Sequence, residues 1–467
     1  MRPVWLMSPS SLSDTLPLDT SFDVVIFDEA SQIPVEEAVP ALFRGAQVIV
    51  VGDRMQLPPT RYFQVAGPAA DQPVADDDAP VGVVLDSDSF LAVGSVRLPS
   101  TMLTWHYRSQ YEALIQFSNA AFYEGRLTTI PDRTLTHVRA QPLEVAGGSF
   151  SRDDVVAAVD GMLERSISAM RVLDGVYTQR TNPLEAVWIA HLVRELLARG
   201  TGQTLGIVAF SEAQQSEIER ALERLGREDA EFARLYDAEI AREEDGQVVG
   251  LFVKNLENVQ GDERDIILMS VCYAAGPDGR MRMNFGPINN AGGEKRLNVI
   301  FSRARRHMVL VSSIDHTAIT NTYNDGANTL RGFLHYADAI SNGDDAAAAG
   351  VLASLRERTG RAAAASTAPI VEQIADAVRA AGVEVVAGVG QSAFRADLAL
   401  RPAGAAEHTV GVLVDQPSRL SAHSLDERRV TQPTALRSGG WRVVQVLATE
   451  WESDPDEVVR RLVAAVG

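Results

Sequence analysis

"FDVVIFDEASQIP" (residues 22–34) runs an apolar stretch, Val24 to Phe27, straight into two carboxylates, Asp28 and Glu29. A short apolar run bounded by polar residues is the pattern of a buried strand in a parallel sheet with helices on both faces. Such sheets take their ligands at the carboxyl ends of the strands, so Asp28 and Glu29 stand where a ligand would stand. By themselves the same residues fit an acidic turn that starts the next helix equally well. "AQVIVVGDRMQLPPT" (46–60) repeats the design, with Val48 to Val51 as a second buried strand, Gly52 and Asp53 turning its end, and Gln56 ahead of Pro58 and Pro59. Strand ends about 25 residues apart suit neighbouring strands joined by a crossover helix, both ends facing one crevice.

The alternation continues. In "DGVYTQRTNPLEAVWIAHLVRELLARG" (174–200) Leu184, Val187, Trp188, Leu192 and Leu196 recur at helical spacing, and "TLGIVAFSEAQQSEIERALERL" (204–225) reads as a buried strand, a Ser-started turn and a helix. The expected class is α/β with doubly wound lobes. Trp188 and Phe210 are expected in the core.

Five ordered blocks carry a family resemblance. "DEAS" and "GDRMQLPPT" resemble motifs II and III of superfamily 1 nucleic-acid helicases, in the branch of the nonsense-mediated-decay and senataxin-like enzymes. "LTWHYRSQYEALIQFSNAAFYEGRL" (103–127) resembles motif IV, "FVKNLENVQGDERDIILMSVCYA" (252–274) motif V and "EKRLNVIFSRARRHMVLVSS" (294–313) motif VI. The resemblance implies RecA-like P-loop NTPase lobes that use ATP and Mg²⁺. It gives Asp28 the metal and Glu29 the attacking water, in keeping with a hard cation shared between one or two carboxylates and phosphate oxygens. It also gives Gln56 the γ-phosphate, Tyr107 the base, and Arg108 and Arg303 the role of arginine fingers, where a permanently charged planar guanidinium meets developing negative charge. Gly261 would allow a close backbone approach and Glu263 would reach the ribose hydroxyls. Arg305 and Arg306 read better as a solvated basic face.

A P-loop enzyme needs a glycine-rich turn with Lys on the β/γ-phosphates and Ser or Thr on the metal, G-x-x-x-x-G-K-[ST]. No Gly-Lys pair occurs in this sequence. In the resembling family this Walker A segment lies well before motif II, so the first lobe is expected to be truncated here. A shortened reading frame, a split enzyme whose other half carries Walker A, and a degenerate protein all fit, and retention of Asp28, Glu29, Gln56 and Arg303 favours the first two.

At 467 residues the chain is expected to hold two to four domains. No apolar run of about 18 residues occurs, and the N-terminus lacks a signal-peptide pattern, so a cytoplasmic protein without membrane contact is expected. One cysteine, Cys272, excludes an intrachain disulfide and a Cys-rich metal site, and reads as a small core residue. The net charge of −19 is unusual for a nucleic-acid binder, but Arg280, Arg282, Lys295, Arg296, Arg303, Arg305 and Arg306 concentrate positive charge in one stretch, while acids gather elsewhere, as in "ADQPVADDDAP". Nonspecific binding should be modest and steeply salt-dependent.

The expected organisation is a partial first lobe at 1–100, ending in an Asp-rich surface insertion near 70–90; a second lobe at 101–338; a partly helical Ala-rich linker at 339–365; and a small α/β unit at 366–467. That last unit resembles the very-short-patch-repair endonuclease-like domain, of restriction-endonuclease fold. The resemblance matches Glu372, Asp397 and Asp415 to its metal-site acids and His423 to a family histidine. It also shows departures: Leu413 stands where relatives carry an acid, Gln416 where Gly is usual, and Pro433 interrupts the later helix. A carboxylate replaced by Leu removes a metal ligand, so a module that binds DNA without cutting is favoured over a nuclease. The chain as a whole reads as part of an ATP-dependent helicase or translocase acting on nucleic acid, DNA ahead of RNA; the alternative is a non-hydrolysing binding or regulatory subunit. A stand-alone nuclease is a lesser third reading.

Overall fold

The computed structural model describes residues 4–59, 89–133, 143–146, 150–359, 369–416 and 424–467. The Asp-rich insertion, apart from its last residues, and His423 lie outside the described residues. By compactness the chain forms two units: Met1–Leu103 with Phe285–Val299 and Asn324–Gly326, and Thr104–Asn284 with Ile300–Tyr323 and Ala327–Gly467.

In the first unit, β1 (Phe22–Phe27) and β2 (Gly45–Val50) pair in parallel, Val24 beside Gln47 and Phe27 beside Val50, with helix Val35–Arg44 crossing between them. Phe22, Val25, Phe27, Val48 and Val50 pack with Leu12, Ala38, Ala41 and Phe90. The fully buried strand expected from the sequence is therefore buried on one face only: Val24, Ile26 (64% exposed), Ile49 and Val51 are exposed on or beside the other face. The physical reason is that among the described residues this sheet has two strands, and its helices cover a single side.

The second unit holds a six-stranded sheet in the order β3-β4-β10-β9-β5-β8, built from β3 (Leu143–Val145), β4 (Ile167–Val172), β5 (Leu205–Ala209), β8 (Phe252–Asn255), β9 (Arg264–Ser270) and β10 (Ala304–Ser312). Every pair in it is parallel. A separate two-residue pair, β6 (Glu243–Glu244) and β7 (Gln247–Val248), decorates it. Helix Pro183–Arg199 starts on an Asn182 cap with Pro183 in its first turn and stops at Gly200 in the left-handed region. Its Trp188, Leu192 and Leu196 are buried as the periodicity implies, and so are Phe210 and Cys272. Residues 345–359, expected within the linker, form a helix that buries Ala348, Val351 and Leu352 and packs on helix Ala113–Phe122.

In the same unit β11 (Glu384–Val389), β12 (Ala396–Arg401) and β13 (Val410–Asp415) run antiparallel in succession, and β14 (Arg442–Leu447) joins β13 in parallel. Helices Pro369–Ala380 and Pro455–Val466 cover one face through Val371, Ile374, Val378, Val458 and Leu462 against Leu398, Val412 and Val414. Pro433 does not break a helix. A π-turn at Glu427–Thr431 leads into helix Gln432–Ser438, which places the proline in a first turn, where its missing N–H is not needed.

At the carboxyl ends of β9 and β10, Glu185 is fully buried. Its carboxylate accepts hydrogen bonds from Ser270 Oγ (2.8 Å), the Cys272 N–H (2.8 Å), Ser313 Oγ (2.9 Å) and Asn182 Nδ2 (3.1 Å). Burial still outweighs these bonds and pushes the carboxyl up to about 7. Between pH 4.5 and 7 the folded chain thus keeps a proton that the unfolded chain has lost, so stability falls as pH rises through that window and is level above it. Comparing Glu185→Gln with the native chain by urea unfolding between pH 4.5 and 8 is expected to show the native chain losing on the order of 3 kcal/mol more than the variant.

Candidate functional site

In the first unit the backbone brings the two strand ends together before any side chain contributes. The Val51 N–H donates to the Phe27 carbonyl (2.8 Å) and the Ala30 N–H to the Val51 carbonyl (2.9 Å). Gly52 passes so close that a Cβ there would lie 3.1 Å from the nitrogens of Ala30 and Ser31, so any side chain would spread the two ends. Asp28 and Glu29 are exposed at this point, and Glu29 has φ +51°, a left-handed backbone that costs energy for a residue other than glycine. Asp28 Oδ1 accepts from the Glu29 N–H (2.9 Å), and Glu29 Oε2 from Gln32 Nε2 (3.2 Å). Asp53 accepts from the Met55 N–H (2.8 Å) and from Gln56 Nε2 (3.0 Å), and Asn298 Nδ2 donates to the Met55 carbonyl (2.8 Å). Motifs II, III and the first six residues of the motif VI stretch, Glu294 to Val299, thus share a unit.

Among the described residues no three His, Cys, Asp or Glu side chains converge as a complete metal site. An exposed Asp28 beside Glu29 nevertheless fits Mg²⁺, which takes one or two protein carboxylates and completes its shell with phosphate and water.

In the second unit, motifs IV, V and VI meet. Arg108 Nε pairs with Glu263 Oε2 at 2.5 Å and its Nη1 donates to the Ser302 carbonyl (3.4 Å). Arg305 Nε lies 3.5 Å from the other Glu263 oxygen, and the Gln110 N–H donates to the Arg305 carbonyl (2.8 Å). The turn that carries Tyr107 and Arg108 is fastened from within: the Ser109 N–H donates to His106 Nε2 (3.2 Å), and the Ser109 hydroxyl is 2.9 Å from the same nitrogen. Burial, helped by the Arg108 charge, pushes the His106 ring down to about 4, so it stays neutral and able to accept. Tyr107 projects 84% exposed. Gly261 has φ +86° with nothing near its missing Cβ, which leaves the backbone there open to a ligand.

Two expected roles meet a different local arrangement. Arg303 is 2% exposed, with Nη1 on the Asp262 carbonyl (3.4 Å) and Nη2 on Ser302 Oγ (3.1 Å), whereas Arg108 keeps about a third of its side chain exposed. Glu263 spends both carboxylate oxygens on Arg108 and Arg305. Arg306, read as solvated, sits 3.7 Å from Asp265.

In the C-terminal sheet, Asp397 accepts from the Val414 N–H (2.7 Å) and Gln416 Nε2 (3.2 Å). Both oxygens of Asp415 are taken by guanidinium groups, Arg428 at 2.6 Å and Arg429 at 3.1 Å, while Leu413 is buried and Glu372 exposed. These residues do not fit a nuclease metal centre: one ligand position is apolar and the neighbouring carboxylate is already neutralised. Sequence reading missed this arginine pair, for which "DERRV" was the available signal, and it missed the buried acids Glu185 and Glu112 and the half-buried Asp132.

An AAA-domain model, AAA_12, matches residues 89–315, a second, AAA_11, matches 8–62, and the model REase_MTES_1575 matches 371–466. The chain is 32% identical over 326 residues to the uncharacterized ATP-dependent helicase MG140 homolog of Mycoplasma pneumoniae, covering 69% of this chain and 26% of that protein. It is 30% identical over 346 residues to MG140 of Mycoplasma genitalium, covering 73% and 28%. The DNA replication ATP-dependent helicase/nuclease JHS1 of Arabidopsis thaliana is 22% identical over 316 residues, covering 65% and 20%. The chain spans about a quarter of the length of the two bacterial relatives.

Arg428→Ala leaves the partly buried Asp415 with Arg429 as its remaining guanidinium partner and is expected to cost about 1 kcal/mol in urea unfolding. Plasmid DNA incubated with the chain and Mg²⁺ or Mn²⁺ is expected to stay uncut; Asp397-dependent cutting would show that the metal centre forms after all.

Proposed function

Because this chain belongs to the superfamily 1 helicases and carries a nuclease-like domain at its C-terminal end, we propose that it is the motif II to VI portion of an ATP-driven helicase or translocase that works on nucleic acid in the cytoplasm. The observation that carries this reading is the cluster of Arg108, Glu263, Ser302 and Arg305, which joins three motifs beside an exposed Tyr107. A carboxylate that holds two guanidiniums keeps them pre-set for an incoming phosphate, and release of Arg108 to that phosphate needs no refolding.

We assign residues 1–100 to a partial first RecA-like lobe, 101–338 to the second, 339–365 to the connection and 366–467 to the nuclease-like domain. Asp28 holds Mg²⁺, Glu29 orients the attacking water, and Gln56 senses the γ-phosphate. Tyr107 stacks on the adenine, Arg108 meets the developing charge, and Arg303 follows once it leaves the Asp262 carbonyl. Gly261 and Glu263 line the nucleotide side of motif V. Mg²⁺ supplies charge neutralisation on the phosphates when bound with ATP. The phosphate-cradling loop comes from a longer chain or from a partner, in keeping with the absence of any Gly-Lys pair and with the exposed apolar residues of β1 and β2. Parallel sheets are stable when covered on both faces, so that side suits further strands or helices. DNA stands ahead of RNA as the track because the tail has a nuclease-like fold and the relative JHS1 bears the name of a DNA replication enzyme.

The second reading, a non-hydrolysing nucleic-acid-binding or regulatory subunit, draws on the buried Arg303. ATP hydrolysis by the native protein, purified from its own cells with and without single-stranded DNA or RNA, separates the two. DNA-stimulated turnover is expected, and no turnover in any fraction containing this chain favours the second. Within an active enzyme, Glu29→Gln should retain nucleotide and lose turnover, and Arg108→Ala should lower kcat on the order of 10³. Tyr107→Ala should raise KM for ATP about tenfold, as for the loss of one base-stacking platform, with no change in Tm because the ring is exposed.

A further inference from the structure

The face of the C-terminal sheet opposite helices Pro369–Ala380 and Pro455–Val466 carries Asp397, Ala399, Leu413 and Asp415, since alternate residues of β12 and β13 point the same way. In a nuclease this face would meet metal and DNA. Here Gln416, Arg428 and Arg429 occupy its Asp397 and Asp415, while its Ala399 and Leu413 pack with Leu436, Trp441 and the chain's own Trp105. Trp105 packs against the cluster of Phe394, Ala399, Leu413, Leu436 and Trp441, with its ring edge-on to Phe394 at 5.3 Å between centroids. Leu413, the residue that replaces an expected acid, is thus part of an apolar seat for a tryptophan two positions from Tyr107.

Polar contacts fix the same approach. The Glu112 carboxylate accepts from the Gln391 N–H (3.0 and 3.1 Å) and from the Thr129 hydroxyl, and the Thr129 N–H donates to Ser392 Oγ (3.0 Å). Trp441 Nε1 donates to the Pro131 carbonyl (2.9 Å), and Arg133 and His408 exchange backbone and side-chain bonds at 2.8 and 3.0 Å. A Cβ on Gly439 would come within 2.7 Å of Ile130, so the surface is cut to the segment it receives. Glu112 is buried there and Asp132 half-buried; burial pushes both carboxyls up, and the charge of Glu112 adds to the shift of Asp132. The covered segment leads directly to the site: the His106 N–H donates to the Thr128 carbonyl (2.9 Å), and Trp105 bridges to Thr128.

We propose that the former nuclease face serves as a positioning surface for the Tyr107–Arg108 turn, with Gln391, Ser392, Phe394 and Leu413 acting through Glu112, Thr129 and Trp105. It rests on the reading of Tyr107 and Arg108 as nucleotide-contacting groups. The domain then sets nucleotide affinity without cutting anything, and whatever binds the domain's remaining surface is read out at that turn.

Hydrogen–deuterium exchange on the full chain tests the placement. In Leu413→Ala, Phe394→Leu and Ser392→Ala, amides of 105–112 and 128–133 should exchange at least tenfold faster while those of β5 and β9 keep their rates, and Ser392→Thr, which retains the hydroxyl, should restore protection. Unchanged rates at 105–133 overturn the proposal. Should the two core variants loosen β5 and β9 as well, Ser392→Ala and its threonine rescue decide alone. In the nucleotide-hydrolysing native protein the same variants should raise KM for ATP about tenfold through Tyr107 and lower kcat through Arg108, with Ser392→Thr restoring both. An unmoved KM overturns the link to nucleotide, while absence of hydrolysis in the unsubstituted protein defeats the functional reading and leaves the exchange result to judge the placement.

Discussion

The parallel pairing of β9 with β10, Ala304 beside Arg264, is the constraint on which the second unit depends. Parallel neighbours start at the same edge, so the turn Gly261–Glu263 before one strand lies beside Ser302 and Arg303 before the other. That is why Arg303 can donate to the Asp262 carbonyl and why Glu263 reaches Arg305. Motif IV enters from a distant part of the sequence, and Arg108 joins because Gln110 is bonded to the Arg305 backbone. A shift of one residue in the register would send alternate side chains to the opposite faces and dissolve the cluster.

The strands and their order of service were legible where local pattern and chemistry agree. Val24–Phe27 into Asp28, and Val48–Val51 into Gly52, announce strand ends that the backbone bonds between Phe27 and Val51 then join. Trp188, Leu192 and Leu196 announce a buried helical stripe. What could not be read was burial that depends on how many layers surround an element. The hydrophobic run of β1 looks the same in sequence whether one face or two are covered, and here Ile26 is 64% exposed.

Long-range polar partners were equally hidden. Glu112 lies within the resemblance to motif IV, yet its partner Gln391 is 279 residues away. Glu185 looks like an ordinary first-turn acid after an Asn cap, but it ends up fully buried among Ser270, Ser313 and the Cys272 amide. The C-terminal domain illustrates the reverse case. The Leu413 departure was legible as an apolar residue where an acid is expected, and the structure packs that residue in a cluster with Trp105 against it, beside an Asp415 paired with two arginines.

These features describe the Tyr107–Arg108 turn held between the Arg108–Glu263–Arg305 cluster and an apolar face of the C-terminal sheet, and the nucleotide contact proposed for that turn is the central claim. The most direct test of the account is photolabelling of the native protein with 2-azido-ATP, followed by mapping of the labelled peptides by mass spectrometry. The account predicts a label on the peptide containing Tyr107, suppressed by excess ATP and lost in Tyr107→Ala. No ATP-protectable label anywhere in residues 104–112 would contradict it.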